Sequence, residues 1–410
     1  MSLSQTPSSE RIHISFFGRR NAGKSSLVNA VTEQELSVVS NTKGTTTDPV
    51  QKAMELLPLG PVVVIDTPGF DDLGELGEKR VQQTRKILAK TDLAVLVVDC
   101  SCGLLAEDRE FLALFEEKKI PWLLVWNKAD LQPDDTCMFS DLYPKEQQIA
   151  VSALQKYQIF ELKEKLGHLI KQMPPKTYLV QDLLPPSALV VLVTPVDESA
   201  PKGRLILPQQ MVLRDILDAD GMAFVTKETE LPTVLQTLMR KPDLVITDSQ
   251  VFKTVSECLD SSVLLTSFSI LMARYKGYLN TAVSGISALD TLKDGDRILL
   301  AEGCTHHRQC NDIGTVKIPR WIKAYTGEKK ISIHTCSGTE FPEDLSEYSM
   351  VIHCGGCMLN EREIQNRMEC AVSQNIPFTN YGIVISKMNG ILDRSLELFK
   401  KMETKDFEEI

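Results

Sequence analysis

Apolar runs at Ile12 to Phe17, Val62 to Ile65, Leu93 to Val98 and Trp122 to Trp126 alternate with longer stretches of helical periodicity. That rhythm predicts a parallel sheet wound with helices. The run Val62-Val63-Val64-Ile65 is apolar at every position, as expected of a strand covered on both faces. Glu161 to Gln172 predicts a closing helix, stopped by Pro174-Pro175, so a first unit is expected over 1–174. After Pro185-Pro186, apolar runs at Val190 to Val193, Ala223 to Val225 and Leu244 to Ile246 are separated by helical patterns at Gln209 to Leu217 and Val234 to Arg240. This predicts a second α/β unit over 178–275. It contains no catalytic constellation, so its apolar positions are expected to form core, or else an assembly surface. A third unit is expected over 276–410, with a strand at Met350 to Ile352.

Composition narrows the class. Among 410 residues, 43% are hydrophobic and 24% charged, proportions that exclude a disordered or collagen-like chain. The net charge of -10 argues against nonspecific nucleic-acid binding, which depends on neutralising phosphates. No apolar run reaches the roughly 18 residues of a membrane span, so no membrane association is expected. Met1 to Glu10 is polar and without the basic and apolar regions of an export signal, which predicts a cytoplasmic protein. In that compartment cysteines stay reduced, so clustered ones point to metal or redox chemistry.

Gly18-Arg19-Arg20-Asn21-Ala22-Gly23-Lys24-Ser25 fits G-x-x-x-x-G-K-[ST], directly after an apolar strand and before the helical run Ser26 to Val31. In that context the backbone N–H groups cradle phosphates, Lys24 neutralises β/γ charge and the Ser25 hydroxyl can ligate Mg²⁺. Asp66-Thr67-Pro68-Gly69 follows the next strand run. Asp66 is expected beside the Mg²⁺, and the Gly69 N–H is expected to reach the γ-phosphate. Asn127-Lys128-Ala129-Asp130 decides the base, because a carboxylate at Asp130 can accept from N1 and the 2-amino group of guanine, and adenine offers no such pair. Ser152-Ala153 supplies a loop whose backbone can contact guanine O6. The expected ligand is therefore GTP or GDP, bound by Gly18, Asn21, Ala22, Gly23, Lys24, Ser25, Ser26, Thr46, Asp66, Gly69, Asn127, Lys128, Asp130, Ser152 and Ala153. The fold class is α/β: a P-loop GTPase domain with a parallel-type sheet, followed by two further α/β domains.

These motifs resemble those of translation-factor-like GTPases, in particular the Era and TrmE branch. Gly44-Thr45-Thr46-Thr47-Asp48 is similar to the first switch of that branch, and the resemblance implies Thr46 as a Mg²⁺ ligand beside Ser25. It also implies that Asn21 helps hold a potassium ion in place of an arginine finger, a cation that stabilises charge developing in transfer. Asn is equally a common turn residue. Lys24, Asn21, Thr46 and Gly69 are thus the expected catalytic set. Phe70 stands where Ras-like enzymes place the water-orienting glutamine, so intrinsic hydrolysis is expected to be slow. Asp71, Asp72, Glu75 and Glu78 follow in the expected second switch.

The third unit concentrates six of the ten cysteines and four of the six histidines. Cys304-Thr305-His306-His307 and His353-Cys354-Gly355-Gly356-Cys357 offer three thiolates with imidazoles alongside. Both a closed zinc site and a [4Fe–4S] cluster with one open iron suit these ligand types. The spacing Cys-x3-Cys-x2-Cys is absent, so the chain is not expected to cleave S-adenosylmethionine itself. Cys100, Cys102, Cys137 and Cys258 are expected to be packing residues.

Together the GTPase motifs and this terminal pattern resemble the HydF family, maturation GTPases of [FeFe]-hydrogenases, along essentially the whole chain. The resemblance implies a [4Fe–4S] cluster on Cys304, Cys354 and Cys357, with His306 or His353 occupying the remaining position. It implies dimerisation through the middle unit, making a homodimer. It further implies a scaffold for a diiron precursor made by two radical S-adenosylmethionine maturation enzymes and passed to apo-[FeFe]-hydrogenase. Two other readings compete: an RNA-modification or ribosome-assembly GTPase with a structural zinc, and a redox enzyme regulated by GTP.

Overall fold

The computed structural model describes residues 6–34, 50–68, 83–131, 139–174, 177–195, 205–304, 312–338 and 340–405. The chain divides into two compact units, Met1–Pro175 and Lys176–Ile410.

The first unit is built on a six-stranded sheet of β1 (Ile12–Phe17), β2 (Val50–Leu56), β3 (Gly60–Asp66), β4 (Leu93–Asp99), β5 (Trp122–Asn127) and β6 (Gln148–Ala150). Their order is β2-β3-β1-β4-β5-β6, and only β2 runs antiparallel to its neighbour. Strands β3 to β5 and β1 are apolar on both faces because helices cover both sides, and Val95, Leu96, Val97 and Leu124 are fully buried. The sequence pattern missed β2. This edge strand is exposed at Gln51, Lys52, Ala53 and Glu55, so it has no continuous apolar signature. Parallel order places the carboxyl ends of β1, β3, β4 and β5 along one edge, where α/β sheets bind ligands.

The second unit holds two four-stranded sheets. One contains β7 (Leu189–Val193), β8 (Met222–Thr226), β9 (Leu244–Thr247) and β10 (Leu264–Ser267), in the order β10-β9-β7-β8. The other contains β11 (Arg297–Glu302), β12 (Ser332–Ser337), β13 (Met350–His353) and β14 (Phe378–Asn380), in the order β12-β11-β13-β14. All neighbours in both are parallel. One buried cluster joins Val191, Val245 and Leu265 of the first sheet to Ile298, Leu300 and Ile352 of the second.

Two local departures from the sequence pattern have physical causes. The helix expected from Val234 runs over Leu231–Thr237, beginning where Pro232 supplies a ready-made first turn. The run Ala223 to Val225 does form a strand, but β8 is an edge strand with Phe224 46% and Val225 45% exposed. Cys100 packs against the buried cluster of Phe17, Leu112 and Trp126, as expected of a packing residue, and it is disulfide-bonded rather than reduced. Among the described residues no helix is long and apolar enough to cross a membrane.

Candidate functional site

The phosphate loop leaves the carboxyl end of β1 and enters the helix Lys24–Thr32, whose free N–H groups and dipole make an anion site. Gly23 has φ 87°, and a Cβ there would stand 2.2 Å from Asn127 Nδ2, so the loop closes only with glycine at that position. The buried Lys24 Nζ donates to the carbonyls of Gly18 (2.7 Å) and Arg19 (2.8 Å). Ser25 Oγ donates to Asp66 Oδ2 at 2.6 Å, which brings together two of the groups expected at Mg²⁺. Ser26 lies in the first turn of the same helix. Asn21 is exposed at the tip of the loop with φ 60°. The loop is anchored from outside by Arg19, which donates to the buried Asp108 carboxylate (3.1 Å) and to the Gly103 carbonyl (3.3 Å).

The base-reading residues converge on the carboxyl end of β5. Asn127 Nδ2 donates to the Ala22 carbonyl (2.9 Å), and its Oδ1 accepts from the Ala153 N–H (3.1 Å). Ser152 Oγ donates to Asp130 Oδ1, fixing the carboxylate that would face guanine. Lys128 Nζ pairs with Asp99 Oδ2 at 2.6 Å. Asp99 was missed in the sequence; the available signal is a carboxylate placed directly after the wholly apolar run Leu93 to Val98. Thr46, Gly69, Phe70, Asp71, Asp72, Glu75 and Glu78 lie outside the described residues.

In the second unit, Cys304 follows β11 and Cys354 follows β13, neighbouring parallel strands that end on the same edge. Cys354 Sγ accepts N–H bonds from Gly303 (3.1 Å) and Gly356 (3.3 Å), an arrangement suited to a thiolate. Gly356 has φ +65°, and a Cβ there would meet Ile364 Cδ1 at 2.0 Å. Burial pushes the Cys357 thiol up to about 12, and the neighbouring Cys354 and Cys304 raise it further while Lys276 opposes. Cys357 therefore feels both of the other cysteines. Among the described residues, however, no three His, Cys, Asp or Glu side chains gather as one metal ion requires.

One expected ligand is corrected. His353 is fully buried. Its Nδ1 bonds the Cys354 carbonyl (2.8 Å) and its Nε2 faces Arg367 Nη1 (3.2 Å). A carbonyl can only accept and a guanidinium can only donate, so the ring is the neutral Nδ1–H tautomer with both nitrogens engaged. It has no lone pair left for a metal. His306 lies outside the described residues, as do His307 and Cys310. Sequence reasoning also missed Arg367, Lys276 and Tyr278, whose burial no local pattern announces; Tyr278 Oη donates to the Cys354 carbonyl at 3.3 Å.

Burial, reinforced by the Arg367 charge and opposed by the Cys354 carbonyl, lowers His353 from 6.5 to about 3. Between those values the unfolded chain binds a proton that the folded chain refuses, so this group's contribution to stability rises with pH and is complete above about 6.5. The second unit should accordingly lose stability as pH falls below that value, and His353→Asn should flatten part of the slope. Urea unfolding at a series of pH values checks this; equal slopes in parent and variant contradict a buried neutral imidazole.

Comparison with known proteins follows the same division. Residues 13–128 match the family described as 50S ribosome-binding GTPase. The tRNA modification GTPase MnmE of Moorella thermoacetica is 35% identical over 174 residues, covering 39% of this chain and 35% of that protein. GTPase Der of Wolinella succinogenes is 38% identical over 133 residues, covering 32% of this chain and 28% of that one. The chain thus spans about a third of the length of these curated relatives. The solved structure of Aquifex aeolicus Era bound to GDP.AlF4- aligns at 17% identity with a TM-score of 0.36, covering 55% of this chain and 97% of that one. Residues 179–277 match the hydrogen maturase F dimerization domain and residues 280–398 the hydrogen maturase F tetramerization domain. With these two consecutive domains filling more than half of its length behind a GTP-hydrolysing domain, the chain belongs to the hydrogen maturase F family of hydrogenase maturation GTPases.

Proposed function

We propose that this protein is a GTP-switched scaffold in the assembly of the [FeFe]-hydrogenase active site, with a GTPase domain at 1–174, a dimerisation domain at 178–275 and a cluster-binding domain at 276–410. The observation that carries the reading is that the neighbouring parallel strands β11 and β13 end on one sheet edge, where Cys304 and Cys354 follow them and Cys357 lies three residues on. Buried thiols with raised pKa values stay protonated when nothing is bound, so loading a [4Fe–4S] cluster would release protons and would be favoured by rising pH. Three cysteines leave one iron with an exchangeable ligand, an attachment point for an incoming diiron unit, and His306 is the remaining imidazole for that position. The diiron unit would come from two radical S-adenosylmethionine enzymes and pass to apo-hydrogenase, in the cytoplasm and without a membrane or nucleic acid. The RNA-modification alternative draws on relatives that match only the GTPase part of the chain.

In the nucleotide site, Ser25, Asp66 and Thr46 would hold Mg²⁺, Lys24 and the Gly69 N–H would meet the terminal phosphate, and Asp130 would read guanine. The Lys24 ammonium, held by two loop carbonyls, would bring its charge to where negative charge grows in transfer. Asn21, exposed at the loop tip, would offer its side-chain oxygen to a potassium ion alongside nucleotide oxygens. Self-association would use β8, whose exposed Met222, Phe224 and Val225 lie on an unpaired sheet edge. A second copy of the same edge is the occupant that the dimerization-domain match favours.

Three outcomes test these assignments. Asp130→Asn should weaken GTP preference and admit xanthosine triphosphate; discrimination equal to the parent's in competition binding rejects the base-reading role. Potassium should accelerate hydrolysis more than sodium, and Asn21→Ala should remove the difference; equal parent rates in the two salts reject the potassium site. After anaerobic purification, iron and sulfide should be present in equal amounts without zinc. Alanine at Cys304, Cys354 or Cys357 should abolish the cluster and hydrogenase activation while leaving GTP hydrolysis near the parent rate. Zinc in place of iron and sulfide would favour the RNA-modification reading instead.

A further inference from the structure

Arg367 heads the fully buried side chains by size and is only 2% exposed. It lies on the helix Glu361–Ser373 and pairs with Glu363 Oε1 at 2.8 Å, one turn away. Burying such a pair is costly, and an apolar residue of similar volume would generally hold the helix as well or better. The pair therefore needs a reason beyond packing, and the rest of the guanidinium's contacts supply one. Nη2 also donates to the Gly338 carbonyl, and the plane lies over the Phe341 ring at 5.4 Å. Nη1 donates to His353 Nε2 at 3.2 Å, a bond that Glu363 does not require for neutrality.

That third bond reaches the cysteine loop in one step. With Nε2 accepting, the imidazole proton sits on Nδ1 and is donated to the Cys354 carbonyl at 2.8 Å. Tyr278 Oη donates to the same oxygen at 3.3 Å, and the Cys354 N–H donates to the Ala301 carbonyl at 2.8 Å. The Cys354 sulfur receives its two N–H bonds from Gly303 and Gly356. Every polar atom of Cys354 is thus held, and the chain of restraint that ends at its carbonyl begins at Arg367. A lysine could supply the charge, but not a planar fork that engages imidazole, carboxylate and carbonyl together.

We infer that Arg367 is a positioning residue for the Cys354–Cys357 turn, acting through the His353 imidazole, and that its desolvated charge raises the electron affinity of the group those thiolates hold. The inference rests on the [4Fe–4S] reading above. A fixed cation stabilises the more negative, reduced form of a cluster, and in a buried setting solvent screens it little. No other role assigned above requires Arg367.

The test is redox titration of the cluster-loaded full chain, followed by electron paramagnetic resonance, in the parent, Arg367→Met and Arg367→Lys, with GTP hydrolysis as a control expected to stay at the parent rate. Arg367→Met should shift the midpoint negative by about 60 mV, a tenfold change in the oxidised-to-reduced ratio for a one-electron couple, and should alter the spectrum. Arg367→Lys should keep the midpoint near the parent's while changing the spectrum, because charge remains and the fork is lost. A parent-like midpoint and spectrum in the Met variant overturns the inference. If circular dichroism shows that the Met variant has not folded, the Lys variant decides: a changed spectrum supports the positioning role and an unchanged one rejects it. A parent chain that takes up no iron and sulfide rejects the proposed function itself, and this inference with it.

Discussion

The nucleotide half of the molecule depends on one side-chain amide. Asn127 stands at the carboxyl end of β5, donates to a carbonyl of the phosphate loop and accepts from the backbone of the loop that carries Ser152 and Ala153. A side-chain amide can do both at once, since it carries a donor and an acceptor on one rigid plane. With that residue only 2% exposed, water offers little competition for either bond. The phosphate cradle and the base-reading loop are therefore parts of one hydrogen-bonded unit, and the antiparallel edge strand β2 and the outer helices are arranged around a sheet that makes this meeting possible.

The second unit solves a similar problem with different atoms. Two parallel strands end side by side and pass into glycine-containing loops, and the restraint comes from backbone N–H groups on sulfur and from side chains on a carbonyl. Burial raises the Cys354 thiol, because desolvation opposes a thiolate more strongly than its two N–H bonds favour it.

Legibility in the sequence followed the physics of each element. Strands β1, β3, β4 and β5 could be read to within a residue or two because helices cover both faces and leave continuous apolar runs. The nucleotide motifs could be read because phosphate, Mg²⁺ and guanine each demand particular atoms at fixed spacing, and the described members of that set do meet at the edge of the sheet. Strands β2 and β12 could not, since edge strands with exposed faces carry mixed residues. His353 misled for a related reason. A histidine beside a Cys-x-x-Cys pair looks like a ligand in one dimension, and only the fold reveals that Arg367, fourteen positions along the chain, claims its remaining nitrogen. Long-range side-chain partnerships of this kind leave no trace in local pattern.

The lysine of the phosphate loop has a consequence for how the site fills. Its ammonium is held by the carbonyls of Gly18 and Arg19, so the backbone of the loop itself tethers the charge. The position of the cation is thus set by the fold and not by what the loop holds. A switch constructed this way can turn over its occupant without unfolding its own floor.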